Sequence, residues 1–225
     1  MSNVPSYVSV IFGITTFITV YLFGRAAGNS KATIPILLAW LILQAIVSMK
    51  GFYTVTDSMP PRFVLLIWPP LLLIILLFLI PGGRKYIDSL DSKILTYLHT
   101  IRIPVEIVLF WLFLYKQVPQ LMTFEGRHFD ILSGFSAPFV AYFGYSKKKL
   151  SRTILLAWNF ICLGLLINIV IIAALSAPFS IQQFAFDQPD VAVLYFPFTW
   201  LPCCVVPIVL LSHLASIREL LIAKK

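Results

Sequence analysis

Long apolar runs separated by short polar connections restrict what this sequence can fold into. A helix that crosses the hydrocarbon core of a bilayer needs about 20 mostly apolar residues. Seven such windows occur, approximately at residues 7–23, 33–49, 62–80, 95–115, 131–144, 153–175 and 191–212. Hydrophobic residues make up 60% of the chain and charged residues only 12%, unlike a soluble domain. The sequence therefore predicts an all-α, polytopic transmembrane helix bundle of about seven spans, folded as a single domain over residues 1–225.

The distribution of basic residues predicts how the bundle is oriented, because lysine and arginine accumulate in cytoplasmic loops. They are concentrated in alternate connections and after the last span, whereas the last of the other connections holds only Asp187 and Asp190. We expect the N-terminus outside, the C-terminus in the cytoplasm, and a location in the inner cell membrane. The net charge of +8 then indicates contacts with anionic lipid headgroups rather than with nucleic acid.

The fourth predicted span contains ionisable residues, which at membrane depth usually mark a function. His99, Arg102 and Glu106 are spaced by three and four residues, so a helix places them on one face. At about 1.5 Å per residue, Glu106 lies about 15 Å from the outer end, near the midplane, and His99 near the inner interface. Pro104 frees one backbone carbonyl on this face. Two interpretations are open: a site that binds a substrate or relays a proton, and a structural Arg102–Glu106 ion pair with His99 among the headgroups.

A second group of ionisable residues precedes the fifth predicted span and is expected at the outer surface. Glu125, His128 and Asp130 are ligand types for zinc or another divalent ion, and Arg127 can pair with an anionic group. They would guard the outer mouth of an internal cavity. The alternative is that Asp130 caps the helix, Arg127 contacts a lipid headgroup and His128 lies at the interface.

Prolines and asparagines in the last two predicted spans bear on the interior of the bundle. Pro197, Pro202 and Pro207 each remove a backbone hydrogen bond, and broken helices at membrane depth are tolerated where they line a cavity. Asn159 and Asn168 either line that cavity or form interhelical hydrogen bonds.

His213 ends the last predicted span at a depth similar to that of His99. Two histidines on separate helices at one depth could ligate a haem iron or join a metal site. The alternative is an isolated residue at the end of a helix.

The leading functional hypothesis is a multi-pass membrane protein that binds or transports a small polar or anionic molecule through an internal charged cavity. An alternative is a metal-dependent, hydrolase-like intramembrane enzyme that acts on a lipid substrate, with zinc or another divalent ion as cofactor. A third is a haem protein with two histidine ligands. The residues assigned to ligand binding are His99, Arg102, Glu106 and Arg127. The candidate metal ligands are Glu125, His128, Asp130 and His213.

Overall fold

The computed structural model describes residues 3–28, 30–58, 60–126 and 129–222, and this part of the chain contains helices and no strand. Arg127 and His128, two of the predicted site residues, lie outside the described residues. The helices are α1 (Ser6–Ala26), α2 (Thr33–Met49), α3 (Val64–Leu79), α4 (Pro81–Asp88), α5 (Ser92–Leu98), α6 (Arg102–Leu114), α7 (Ile131–Val140), α8 (Arg152–Ser176) and α9 (Val206–Ile222). A 3₁₀ turn, His99–Ile101, joins α5 to α6. One π-helical segment, Ala141–Ser146, extends α7, and another, Leu201–Val205, precedes α9.

Among the described residues, four helical stretches are long and apolar enough to cross a membrane. They are Ser6–Ala26, Ser92–Leu114, Arg152–Ser176 and Leu201–Ile222. The bent pair α3 and α4, which meet at 95°, adds a fifth if it is counted as one span. Large apolar side chains such as Phe139 and Ile161 face outward, and each is 65% exposed. These features are compatible with an integral membrane protein, because a helix that is apolar all round needs an apolar environment.

The predicted count of seven spans corresponds to seven helical regions of unequal length. The second, third and fifth of them contain α-helices of 17, 16 and 10 residues. A residue rises only about 1.5 Å along a helix, so these three are short for a straight crossing of the bilayer. The chain is therefore all-helical as predicted, and seven spans with a fixed orientation stay a prediction.

The last helix differs most from its prediction, since helical structure begins at Leu201 instead of residue 191 and continues to Ile222. Residues 191–200 hold only a short 3₁₀ turn, Ala192–Leu194. Proline breaks a helix interior but is accepted in the first turn, which is where Pro202 lies. As a result His213, expected at the end of a span, lies within α9 and is fully buried.

Two connections fold against each other in the interior, and we call the described residues of 115–130 and 177–200 the loop layer. The backbone carbonyl of Gln117 accepts hydrogen bonds from the amides of Val191 (3.0 Å) and Ala192 (3.1 Å). The side-chain amide of Gln188 donates to the carbonyl of Val118 at 2.6 Å. Val118 is fully buried. Irregular backbone is thus paired inside the protein, as buried loops require.

The start of α7 packs closely against the start of α6. A Cβ atom added to Gly134 would lie 2.8 Å from Cγ1 and 3.1 Å from the backbone nitrogen of Ile103. This contact places Asp130, one turn before Gly134, next to Arg102, where Asp130 is 5% exposed. Arg102 is twelve residues, or about 18 Å, from the Leu114 end of α6. Asp130 is consequently deep in the protein and does not lie at the outer surface, where the sequence predicted it.

Candidate functional site

Arg102 is the centre of a buried polar network. It follows the 3₁₀ turn at the start of α6 and is 3% exposed. Its Nη1 donates to the carboxylate of Asp130 and, at 3.3 Å, to the carbonyl oxygen of Cys162. Its Nη2 lies 2.9 Å from Nε2 of His213. The ion pair that the structure shows for Arg102 is thus with Asp130, and not with Glu106, the partner in one of the two sequence-based interpretations. Asp130 is the N-cap residue of α7, but its side chain makes no capping hydrogen bond and pairs with the guanidinium instead.

The hydrogen bonds around His213 fix its tautomer. The Nδ2 atom of Asn159 donates to the carbonyl of Leu155 at 2.9 Å, which leaves its Oδ1 atom 3.0 Å from Nδ1 of His213. An amide oxygen only accepts, so Nδ1 carries the hydrogen. A guanidinium only donates, so Nε2 of His213 accepts from Arg102. His213 is therefore a neutral link between Asn159 and Arg102, and a second proton on Nε2 would point at a cation.

His99 lies against His213 without joining this network. The two rings are stacked with centroids 3.9 Å apart and planes inclined by 17°, and Trp158 presents its ring to His99 at 5.6 Å. His99 is fully buried, and neither of its ring nitrogens hydrogen-bonds to any residue that the structure describes. Axial haem ligands direct a nitrogen at the iron from opposite faces of the macrocycle. Rings stacked at van der Waals distance leave no space for it, so this geometry does not favour the haem hypothesis.

The described candidate metal ligands, Glu125, Asp130 and His213, do not converge. Within residues 3–28, 30–58, 60–126 and 129–222, no group of three or more His, Cys, Asp or Glu side chains is arranged to hold a metal ion. Asp130 and His213 each hydrogen-bond to the guanidinium of Arg102, so a cationic side chain lies between them. Glu125 is exposed, away from this network. The structure therefore gives the metal-enzyme hypothesis no geometric support from these residues.

A cavity of about 300 Å³ lies beside Arg102 and is lined by α3, α6, α8, the last helix and the loop layer. Aliphatic side chains form most of its wall, among them Ile67 of α3 and Ile169 of α8. Glu106 lines it from α6 and is 1% exposed. An apolar chamber with a few polar groups is the usual form of a small-molecule site. Arg102, Glu106, Asp130 and Asp190 border its described wall, and none is more than 5% exposed, so the accessible wall is almost entirely apolar.

Asp190 is the site residue that sequence reasoning missed. It was assigned only to an outer connection, but it is fully buried and lines the cavity from the loop layer. Neither carboxyl oxygen has a well-formed hydrogen-bond partner in the described part of the chain. Burial raises the pKa of Asp190 to about 8, and the backbone amide of Val193 acts in the opposite direction. The connection that contains Asp190 has few charged residues, and this is the one feature of the sequence that could have drawn attention to it. A low charge does not by itself show that a connection folds inward.

A second cavity, of about 520 Å³, lies between α1, α2, α3 and the last helix. Its described wall includes Trp40, Pro70 and Cys203 and contains no charged side chain. None of the residues predicted from the sequence to form a site lines it. The first cavity, which we call the charged cavity because four ionisable residues border it, is therefore the better candidate for binding a polar group.

Comparison with known proteins places the chain in a family without assigning it an activity. No curated protein and no solved structure matches the chain. A family model described as "Domain of unknown function (DUF8737)" matches residues 60–221, which include the polar network and the charged cavity. Since this match covers more than half of the sequence, the chain belongs to the DUF8737 family.

Proposed function

We propose that this is a multi-pass membrane protein that binds a small amphiphilic molecule in the charged cavity. The apolar part of the ligand would lie against α3, α8 and the last helix, and its polar head among the four ionisable residues on the wall. The observation that carries the proposal is a cavity of about 300 Å³ with an aliphatic wall and ionisable groups from α6, the approach to α7 and the loop layer. Transport is a further step of the same hypothesis.

The size of the cavity limits the ligand. At about 30 Å³ for a water-sized group, the cavity holds roughly ten such groups. A single chain of about ten carbons with one polar head fits this volume, and a whole phospholipid with two acyl chains does not. The volume is at the lower end of that of small-molecule sites, which supports a compact ligand.

The buried charges support binding because they are costly as purely structural elements. Ionised groups in a low-dielectric interior lose several kcal/mol of hydration each, and a good ion pair only offsets this loss. Arg102 and Asp130 offset each other. Asp190 borders the same cavity with no well-formed hydrogen-bond partner in the described chain, so its burial is costly whether the carboxyl is protonated or ionised, which supports a purpose other than stability.

A cavity-filling substitution with a matched control tests the proposal. Ala173 of α8 lines the cavity, whereas Ala157 of the same helix is exposed on the surface of the protein. We would measure thermal unfolding in a non-ionic detergent with a thiol-reactive dye, since the free cysteines of the described chain are all buried. The probes are decanol, decanoate and decylamine at equal mole fractions of the micelle.

At least one probe should stabilise the native protein and the Ala157→Phe variant but not Ala173→Phe. Ala174→Leu, which adds a smaller side chain to the same wall, repeats the test if Ala173→Phe does not fold. The proposal is overturned if no probe gives a stabilisation that filling the cavity abolishes.

A further inference from the structure

We propose that Asp190 recognises the head of the ligand and that this head is an organic ammonium ion. The inference rests on the proposed function, and it adds the charge of the ligand and the residue that selects it. It also differs from the sequence-based expectation of a polar or anionic ligand.

The position of Asp190 is fixed by the backbone around it. Its amide donates to the carbonyl of Ser176 at 2.9 Å, and the next amide, that of Val191, donates to the carbonyl of Gln117 at 3.0 Å. These two bonds hold the residue between the end of α8 and the other half of the loop layer. The side chain borders the cavity but has no accessible surface, so a ligand head contacts the carboxyl only after the adjoining side chains of the wall shift. The carboxyl is thus held in place on the wall of a chamber.

The buried carboxyl of Asp190 is not satisfied by hydrogen bonds within the described part of the protein. Buried polar atoms nearly always have partners, so an exception needs an explanation. Both oxygens of Asp190 lack a well-formed partner among the residues described. The nearby turn Ala192–Leu194 has no side-chain cap, so helix capping is not its role. A ligand that donates hydrogen bonds from within the cavity would satisfy the group.

Charge identifies which donor fits. The cation on the described wall, Arg102, already donates to Asp130 and His213. The other titratable groups facing the cavity are Glu106 of α6 and Asp130 before α7, and both are carboxyls, while α3, α8 and the last helix contribute no titratable group to its described wall. An ammonium head supplies a counter-charge to Asp190 and up to three hydrogen-bond donors. A carboxylate or phosphate head would add to the negative charge.

Binding of an ammonium ion should release a proton. With its pKa raised to about 8 by burial, Asp190 is mostly protonated at neutral pH, and it must lose that proton to form the ion pair. An alkylamine resembles lysine and keeps its own proton up to about pH 10. The affinity for the amine should therefore rise about tenfold per pH unit from pH 6 to 8 and then level off.

The experiment compares ten-carbon probes that differ only in the head, on the native protein and two variants. Asp190→Asn removes the carboxylate, and Asp187→Asn changes an exposed aspartate three residues away. Decylamine should bind the native protein and Asp187→Asn at least tenfold more tightly than decanol does. In Asp190→Asn this preference for decylamine over decanol should disappear. Asp190→Glu keeps a carboxyl and should retain part of the preference, which protects the test if the Asn variant does not fold.

The inference is overturned if decylamine and decanol bind the native protein equally, if decanoate binds best, or if both Asn variants lose the preference alike. The first two outcomes leave the proposed function intact, provided that the favoured probe is excluded by Ala173→Phe. If no probe is excluded by filling the cavity, the proposed function itself is wrong.

Discussion

The imidazole ring of His99 lies flat on that of His213, with centroids 3.9 Å apart, although one residue is in the turn before α6 and the other in α9. The two rings have different roles. His213 links Asn159 to Arg102, whereas His99 contacts His213 and Trp158 through its ring alone. The pair that sequence reasoning treated as equivalent is thus one hydrogen-bonded histidine and one stacked aromatic ring.

Replacing each of these histidines by phenylalanine should separate the two roles. His213→Phe leaves a buried amide oxygen of Asn159 and a guanidinium nitrogen of Arg102 without partners, at about 1–3 kcal/mol for each group. His99→Phe keeps the ring contact and removes two buried nitrogens that have no partner in the described chain, so it should change stability by less than about 1 kcal/mol. Thermal and denaturant unfolding measure both. Equal destabilisation by the two variants would show that His99 also makes a polar interaction.

The buried Arg102–Asp130 pair should be costly to break from one side. Arg102→Leu leaves the Asp130 carboxylate without its guanidinium in a buried setting, a loss of about 3–5 kcal/mol. Replacing both residues by leucine should cost less than the sum of the single changes, which a double-mutant cycle measures directly. Arg218 and Asp88 form a matched control pair, since their nitrogen–oxygen distances are 2.7 and 3.0 Å. Both side chains are partly exposed at the surface. Arg218→Leu should cost much less than Arg102→Leu, and a similar cost for both arginines would contradict the assigned role of burial.

The helices could be predicted from the sequence because a membrane-length apolar run is a local signal. Helical periodicity also places Arg102 and Glu106 about one turn apart, and both border the cavity from α6, whereas His99 lies in the 3₁₀ turn before α6 and does not. Where such a signal was interrupted, the prediction failed. The last span was placed ten residues too early because apolar composition continues through residues 191–200, where Pro197 interrupts a helix.

The partners of Arg102 and the location of Asp190 could not be predicted because they depend on how connections fold. Asp130 and Asp190 are both in segments that sequence rules assign to the surface, and both are buried because the loop layer returns into the bundle. The contact that permits this for Asp130 is the missing side chain of Gly134 against Ile103, which is a property of two helices and has no local signature.

A side chain at position 134 should therefore disrupt the site without entering it. Gly134→Ala places a Cβ atom 2.8 Å from Cγ1 and 3.1 Å from the backbone nitrogen of Ile103, so α7 must shift away from α6. We expect a loss of about 1–3 kcal/mol from overpacking, together with a weaker Arg102–Asp130 pair. Gly164 of α8 is the control, since a Cβ atom there meets nothing within 4 Å, and Gly164→Ala should be neutral or stabilising. If Gly134→Ala is tolerated as well as Gly164→Ala, the close packing of α7 on α6 is wrong.

Stability should depend on pH through Asp190 in a direction opposite to that of an ion-paired carboxylate. Burial raises its pKa to about 8 in the folded protein, compared with about 3.9 when unfolded, so between these values the folded state holds one more proton. Stability from this group is then fully present below about pH 4 and falls by about 1.4 kcal/mol per pH unit until about pH 8. Asp190→Asn removes the dependence, and its stability advantage over the native protein should grow from pH 5 to 8 and stay constant above.

The quantity to measure is the difference in unfolding midpoint between Asp190→Asn and the native protein, because the other titrating groups contribute to both and cancel. Asp187→Asn, at an exposed position in the same connection, is the control, and its difference from the native protein should be small. An advantage of Asp190→Asn that does not grow over this range would mean that the carboxyl is ionised in the folded state and has a partner. A growing advantage would show that the protein keeps an acid at this position at the expense of stability, as expected for a group that binds a ligand.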